Sequence, residues 1–252
     1  MNKDTIIMLA WPETPAIQVG SWYEPLMKLL GFNKNGYYKA GHSALVLINH
    51  SSGVLKYFDF GRYHTPVKHG RVRNDDTDPN LKITIKAILN DENKIINKDQ
   101  ILLYLSKQKD FHGYGKMYAS FYSGIDFTKA YTFAKNQQNK GAVLYGPFAY
   151  KGTNCSRFTS RVFRAGAANF YKKFQTVLPF SLTQTPLGNV LISAKNNLFY
   201  EVDNSFIKTH TANILTFLVH WTLPPLKAVP FVLKKKIAKQ EDKIIDSSIS
   251  LN

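Results

Sequence analysis

The chain has 252 residues, of which 44% are hydrophobic and 13% aromatic, enough to bury the core of one soluble domain. Lysine and arginine number 33 against 17 acidic residues, and the formal charge of +16 favours anionic partners: nucleic acid, anionic lipid or acidic cell-wall polymers. The single cysteine excludes an intrachain disulfide and a multi-cysteine zinc site.

The domain organisation is predicted to be simple. No linker rich in proline, glycine or serine divides the chain, and no internal repeat has a solenoid or propeller period. We predict one domain with a C-terminal extension over residues 1–237, and a polar tail over 238–252. Met1–Pro12 carries one early lysine, the short apolar stretch Ile6–Trp11 and no small-residue cleavage site. This pattern predicts a buried strand rather than a signal peptide, and therefore a cytoplasmic protein.

Strand, helix and turn are predicted in order at the N-terminus. Asp4–Trp11 is predicted to be a short strand, and Gly20–Leu30 a helix that ends at Gly31. Gly36–Tyr38 is predicted to be a turn before the next strand.

A β-hairpin is the clearest element of the sequence. Its predicted arms are Ala44–Ile48 and Val54–Phe60, with a turn around His50–Gly53. Arg62–Pro79, rich in glycine, proline, aspartate and basic residues, is predicted to be a long ordered loop. Leu81–Ile88 alternates apolar with polar residues, which predicts a half-buried strand.

The central part of the chain is predicted to alternate between helices and strands. Helical spacing predicts a helix over Asn97–Lys107, and Met117–Tyr122 is predicted to be a strand. Asp126 caps a predicted helix that runs to about Asn139. Ala142–Tyr145 is predicted to be a short strand, and Asn154–Gly166 a helix.

The C-terminal part contains segments of mixed periodicity and one long apolar stretch. Phe170–Leu178, Val190–Ala194 and Leu198–Val202 have periodicity that fits either a helix or a strand. Ile214–Leu233 is strongly apolar, but histidine, lysine and prolines interrupt it, which argues against a spanning helix. Packing on the core is favoured there, and peripheral contact of residues 214–236 with a membrane surface is the alternative.

Cys155 lies at the start of its predicted helix, with Thr153 or Asn154 as N-cap. Unpaired N–H groups and the helix dipole stabilise a thiolate at that position. The spacing places Cys155 on one inward face with Phe158, Thr159 and Val162. A lone cysteine is more often an inert apolar side chain than a nucleophile, so a second residue is needed to support catalysis.

His42 is the candidate for that second residue, because a cysteine hydrolase needs an imidazole base at its thiol. A turn at Ser51-Ser52 would place His42 opposite Gly61, with Asp59 and Tyr63 on the same face. A register shifted by one residue would present Phe60, Arg62 and His64 instead. Asp59 is therefore favoured as the residue that orients His42, and His64 is the alternative.

These features together resemble a known superfamily. Gly41-His42 at the start of a hairpin and Asn154-Cys155-x-x-Phe158 opening a later helix resemble the circularly permuted branch of the papain-like cysteine hydrolases. This branch is related to NlpC-type peptidases and lecithin:retinol acyltransferase-like enzymes, and its histidine strand precedes its cysteine helix. The segment Gly41–Arg73 also resembles an uncharacterised bacterial family with this arrangement.

The resemblance covers about Gly36–Gly166 and implies both a fold and a chemistry. It implies an α+β fold in which an antiparallel sheet packs against the cysteine helix. Cys155 matches the nucleophile and His42 the base, while Asp59 takes the place of an orienting residue that is histidine or glutamate in many relatives. The implied chemistry is a thioester intermediate at an amide or ester carbonyl, and it requires no cofactor.

Other side chains are candidates for binding the substrate. Tyr37 or Tyr38 could join the Cys155 N–H in stabilising the oxyanion. Arg62, Arg71 and Arg73 could pair with an anionic substrate group. The alternative for these arginines is a solvated basic loop neutralised by aspartates 75, 76 and 78. The histidines have no metal-type spacing, so no metal site is expected.

The leading hypothesis is a cysteine amidase or peptidase that acts on peptide-like, anionic substrates such as cell-wall peptides. A lipid acyl hydrolase or acyltransferase would use the same residues. A basic module that binds nucleic acid or anionic membrane is the non-catalytic alternative, although the sequence has no zinc-finger or RNP signature that predicts a specific nucleic acid.

Overall fold

The computed structural model describes residues 4–17, 33–34, 37–39, 41–146, 149–177, 184–203 and 205–212. The predicted helix Gly20–Leu30, the apolar stretch Ile214–Leu233 and the tail over 238–252 lie outside these residues. The predicted division into domain and tail therefore stays a prediction.

Antiparallel strands form the framework of the described residues. A large sheet has the order β11-β10-β8-β1-β5-β6-β7-β9, and a small one has the order β2-β4-β3. The strands are β1 Asp4–Trp11, β2 Pro15–Ile17, β3 Asn33–Lys34, β4 Tyr37–Lys39, β5 His42–Ile48, β6 Leu55–Gly61, β7 His69–Arg73, β8 Met117–Ile125, β9 Val143–Leu144, β10 Leu198–Asp203 and β11 Phe206–Thr211.

The described helices are short, and two of the longest begin at side-chain caps. Asp126 accepts a hydrogen bond from the Lys129 N–H, and Asn154 accepts one from the Arg157 N–H. Each cap satisfies a backbone donor that has no partner within its helix. The helices are α1 Lys98–Ser106, α2 Phe127–Gln138, α3 Cys155–Gly166, α4 Phe170–Gln175 and α5 Pro186–Ser193, with 3₁₀ turns at Pro79–Leu81, Lys109–Phe111 and Lys195–Asn197.

The central strands of the large sheet are buried on both faces. In β1, Ile6 and Met8 face α2, α3 and α5, while Ile7 and Leu9 face α1 and the segment 81–95. Alternate residues therefore enter two separate hydrophobic cores, as the period-two geometry of a strand requires. This explains why β1 and β5 are apolar almost throughout.

The predicted fold class is confirmed: the molecule is α+β, with an antiparallel sheet packed against the helix that carries the cysteine. The predicted strand Asp4–Trp11 has the predicted bounds. The hairpin, the strand at 117, the short strand at 143 and the three helices starting near 98, 127 and 155 are also confirmed. Of the segments left open, Phe170 and Val190 lie in helices and Leu198 begins a strand.

Two predictions of irregular structure are wrong. Tyr37 and Tyr38 belong to β4, which pairs with both β2 and β3, rather than to a turn. The predicted loop Arg62–Pro79 contains β7, which extends the sheet beyond β6. Short strands of this kind depend on a partner that is distant in sequence, so their local composition did not reveal them.

The predicted strand Leu81–Ile88 is also wrong, although its alternation is real. Leu81 and Ala87 are buried, and the residues between them alternate between exposed and partly buried. Side chains bond this backbone where a neighbouring strand would: the Thr84 N–H donates to the Tyr104 hydroxyl, and Asn97 bonds the Ile88 N–H and the Lys86 carbonyl. The alternation of apolar and polar residues therefore indicates an extended, half-buried segment that is not a strand of a sheet.

We expect Asn97→Ala to lower the free energy of unfolding by about 2 kcal/mol, because it removes the two hydrogen bonds that the Asn97 side chain makes to this extended segment. Urea denaturation followed by circular dichroism measures the change. Asn90→Ala is the matched control, since the Asn90 side chain bonds one exposed backbone N–H, and about 0.5 kcal/mol is expected there. Equal losses for the two variants would contradict the role given to Asn97.

Candidate active site

The hairpin of β5 and β6 fixes the relation between His42 and Asp59. The tip is closed by the Asn49 carboxamide, which accepts hydrogen bonds from the backbone N–H groups of Ser51 and Ser52. Ala44 pairs with Asp59, which is the register predicted from a turn at these two serines. Side chains opposite each other share a face, so Asp59 projects from the same face as Ala44. His42 lies two residues before Ala44 on the same strand and therefore shares this face.

Cys155 is the first residue of α3, directly after the Asn154 cap, and is 5% exposed. Its sulfur interacts with the His42 ring and the Ser43 backbone N–H, and it lies 3.9 Å from the Ser156 hydroxyl. Burial raises the pKa of the thiol, but the bonds to His42 and Ser43 outweigh burial and lower the pKa below its ordinary value. The predicted inward face of α3 is confirmed, because Phe158, Thr159 and Val162 are also buried.

His42 is 7% exposed, and its ring stacks on Trp11 with centroids 5.8 Å apart. Its Nε2 lies 3.3 Å from Asp59 Oδ2, although the atoms are not aligned as in a regular hydrogen bond. Burial lowers the pKa of His42, but the interactions with Asp59 and Cys155 outweigh it and raise the pKa to about 9. The imidazolium is therefore the stable form of this ring at neutral pH.

Asp59 is fully buried and surrounded by donors. Arg73 donates to both carboxylate oxygens, at 3.0 Å and 2.6 Å, and the hydroxyls of Tyr57 and Tyr63 donate to Oδ2 at 3.0 Å and 3.2 Å. Burial raises the pKa of Asp59, but the bonds with His42 and Arg73 reverse this effect and lower the pKa to about 2. Asp59 therefore remains ionised in a dry environment.

Arg73 differs from both of its predicted roles. It is 4% exposed, its guanidinium lies 3.4 Å from the centroid of the Tyr63 ring, and it also donates to the Asp110 carbonyl. It is thus neither free for a substrate anion nor solvated. The reason is register: β7 pairs with β6 so that Arg73 stands opposite Asp59.

The other two arginines have partners on the protein. Arg71 forms a bidentate pair with Asp78, at 2.7 Å for each bond, and donates to the Tyr63 carbonyl. This pair is the one expected if aspartates neutralise the basic loop, and the contact of Arg71 with substrate stays a prediction. Arg62 lies over the Tyr145 ring, 4.8 Å from its centroid, and its contact with substrate stays a prediction.

The alternative orienting residue is not beside the histidine. His64 is exposed, has a φ of 48° and lies beyond the end of β6, whereas Asp59 lies next to His42. Tyr37 and Tyr38 lie in β4 of the small sheet, and their part in an oxyanion site stays a prediction.

Two aromatic residues of the site were not predicted. Tyr57 follows from alternation, since it lies two residues before Asp59 on the same strand face. No sequence pattern identifies Trp11 as part of the site, because its contact with His42 depends on β1 pairing with β5. Gly113 packs flat on the Trp11 indole, where a Cβ would come within 2.3 Å of the ring.

In the part of the chain that the structure describes, no group of three or more histidine, cysteine or acidic side chains could hold a metal ion. No described helix combines the length and the apolar character needed to cross a membrane.

Comparison with known proteins places this site in context. Residues 6–170 match the model of a family described as type VI secretion system effector, TseH-like. The crystal structure of the type VI secretion system effector TseH is similar, with a TM-score of 0.53 and 15% sequence identity over 82% of this chain and 98% of that one. At this identity the likeness concerns the fold alone. A search of curated proteins found no match.

We expect Arg73→Met to lower the free energy of unfolding by about 3–5 kcal/mol, because it leaves the Asp59 carboxylate buried without its main partner. Arg71→Met is the matched control, since it breaks an equally bidentate pair whose side chains are 21% and 20% exposed. About 1 kcal/mol is expected for that control, because solvent screens a surface pair. Urea unfolding of both variants decides the point, and similar losses would show that burial does not set the strength of the Asp59–Arg73 pair.

Proposed function

The chain belongs to the TseH-like family of type VI secretion system effectors, and we propose that it is a cysteine hydrolase. In this proposal Cys155 is the nucleophile, His42 the general base and Asp59 the residue that orients His42. The observation that carries it is that Cys155, His42 and Asp59 are buried in one series, with the His42 ring interacting with the thiol and lying 3.3 Å from an ionised aspartate. A cysteine with an incidental role has no need of such a series.

The resemblance to permuted papain-like hydrolases supports the same assignment. The histidine strand β5 precedes the cysteine helix α3 in the chain, as in that branch. Asp59 stands where the relatives have an orienting polar residue. The pKa of the thiol is lowered and that of the imidazole raised, which favours a thiolate–imidazolium pair.

Each step of the proposed reaction uses groups already described. The Cys155 thiolate attacks the carbonyl carbon of an amide, and the resulting oxyanion lies near the N-terminus of α3, where the Cys155 N–H is a candidate donor. His42 then gives its proton to the departing amine, and a thioester remains on the sulfur. Neutral His42 takes a proton from water, which attacks the thioester; the carboxylic acid is released, and the thiolate and imidazolium are restored.

The surroundings of Asp59 are suited to holding His42 through this cycle. Nε2 of His42 faces Asp59, which leaves Nδ1 as the ring nitrogen for the sulfur. Two tyrosine hydroxyls and Arg73 also bond the carboxylate, so its position does not depend on the protonation state of the imidazole. Trp11 covers one face of the ring and limits its rotation.

Peptide amides of the cell wall are the substrate class that we favour. The formal charge of +16 suits anionic polymers that contain such peptides, and Arg62 is a candidate contact for an acidic substrate group. The lipid alternative depends on residues 214–236, which lie outside the described part of the chain. Membrane contact and a cytoplasmic location therefore remain predictions.

We expect Cys155 to react rapidly with iodoacetamide below pH 7, because the paired imidazolium lowers the pKa of the thiol and the reactive thiolate therefore forms at that pH. His42→Ala should return the midpoint of the rate profile towards the ordinary thiol value of about 8.5. His50→Ala is the matched control and should leave the profile unchanged, since His50 bonds Thr5 at the far end of β5. A wild-type midpoint near the ordinary value would refute the proposed pair.

We expect the protein to cleave purified cell-wall stem peptides, and mass spectrometry should detect new amino and carboxyl termini. Cys155→Ala should abolish cleavage, and Asp59→Asn should lower kcat by about 10²–10⁴, because an amide cannot stabilise the imidazolium as a carboxylate does. Asp76→Asn, at an exposed pair with Lys135, serves as the control and should retain activity. Cleavage of acyl-lipid esters but not of peptides would favour the lipid alternative.

A further inference from the structure

A chain of polar side chains crosses the apolar layer between the sheet and its helices. Its members lie on β5, α3, α5 and β8, and each is at most 2% exposed. They are Ser43, Thr159, Asn189, Ser193 and Ser120. Burying polar groups in such a layer is unfavourable unless each is hydrogen-bonded, so their bonds indicate what the chain holds together.

The bonds run continuously across four elements. The hydroxyls of Ser43 and Thr159 are 3.0 Å apart, and the Asn189 amide donates to Thr159 Oγ1 at 3.0 Å and to the Ser156 carbonyl at 2.7 Å. Ser193 donates to the backbone carbonyl of Asn189, and its hydroxyl lies 2.7 Å from that of Ser120. The chain therefore ties the first turns of α3 to the sheet at one end and, through α5, at the other.

Thr159 is the centre of this chain. Its hydroxyl donates to the Ser156 carbonyl at 3.1 Å, so its single proton is used there. The Asn189 amide donates to the Thr159 hydroxyl, and the Ser43 hydroxyl lies 3.0 Å from it. Thr159 therefore has partners on β5, on α5 and within α3, and these contacts fix the distance between α3 and β5.

These two elements are the ones that carry the proposed nucleophile and base. Ser43 directly follows His42, and its backbone N–H interacts with the Cys155 sulfur and lowers the pKa of the thiol. Thr159 follows Cys155 by about one helical turn on the same face. The bond between the Ser43 and Thr159 hydroxyls thus lies beside the contact between Cys155 and His42.

We propose that Thr159 is a positioning residue, which holds the Cys155 sulfur against His42 and the Ser43 N–H through its bond to the Ser43 hydroxyl. This inference rests on the proposed function and names a residue outside the reacting groups. The hydroxyl of Thr159 bonds Ser43, Ser156 and Asn189, and it acts by fixing the helix that bears the thiol against the strand that bears the imidazole.

The test compares Thr159→Val with Thr5→Val in the full-length chain. Both substitutions replace a buried threonine hydroxyl by a methyl group of similar size, and Thr5 is 1% exposed at the opposite end of β1. Both are expected to lower the melting temperature. Only Thr159→Val should shift the pH midpoint of Cys155 alkylation upwards, by about one unit, so that alkylation at pH 6 slows about tenfold.

Two further variants keep the test decisive. Thr159→Ser retains the hydroxyl and should show the wild-type profile. Ser43→Ala removes the other partner of the same bond and should shift the midpoint as Thr159→Val does. It therefore tests the bond if Thr159→Val fails to fold. A wild-type profile for Thr159→Val or Ser43→Ala would overturn the positioning role while leaving the proposed function intact. An ordinary thiol midpoint in the wild-type protein would overturn both.

Discussion

The ion pair between Asp59 and Arg73 is the constraint on which the site depends. A carboxylate without solvent exposure is stable as an anion only when donors surround it. Arg73 supplies two of these donors, and two tyrosine hydroxyls add further bonds. Because Asp59 stays ionised, it can stabilise a positive charge on His42, and the imidazolium in turn stabilises a thiolate on Cys155. Loss of the arginine would weaken each later member of this series.

The order of the strands in the sheet brings the histidine, the aspartate and the arginine together. β5, β6 and β7 are neighbours in the sheet and contribute His42, Asp59 and Arg73 in that order. The cysteine comes from α3, in the helix layer that packs on the sheet. It meets the histidine at the end of β5, where Ser43 faces α3. Gly41 permits this entry into the strand: it has a φ of 73°, and a Cβ there would meet Pro186 and the Pro12 backbone at 3.1–3.2 Å. The site is thus built at a strand end shared by two cores.

Much of this arrangement could be predicted from short-range signals. Asp126 and Asn154 mark helix starts because a cap needs only donors within the next three residues. The hairpin turn set the register that put Asp59 on the face of His42. The role of Arg73 could not be predicted in the same way, because the strand that carries it was not recognised and its partner lies fourteen positions earlier in the chain.

By itself, therefore, the sequence determined the fold class, the elements with strong caps or alternation, and Cys155, His42 and Asp59 as a candidate set. Tertiary structure alone decided that Arg73 is buried against Asp59, that Trp11 covers His42, and that Leu81–Ile88 is extended without joining a sheet. The physical reason is that caps and periodicity depend on neighbouring residues. Burial and strand pairing depend on which distant segment lies opposite, and no local pattern records that partner.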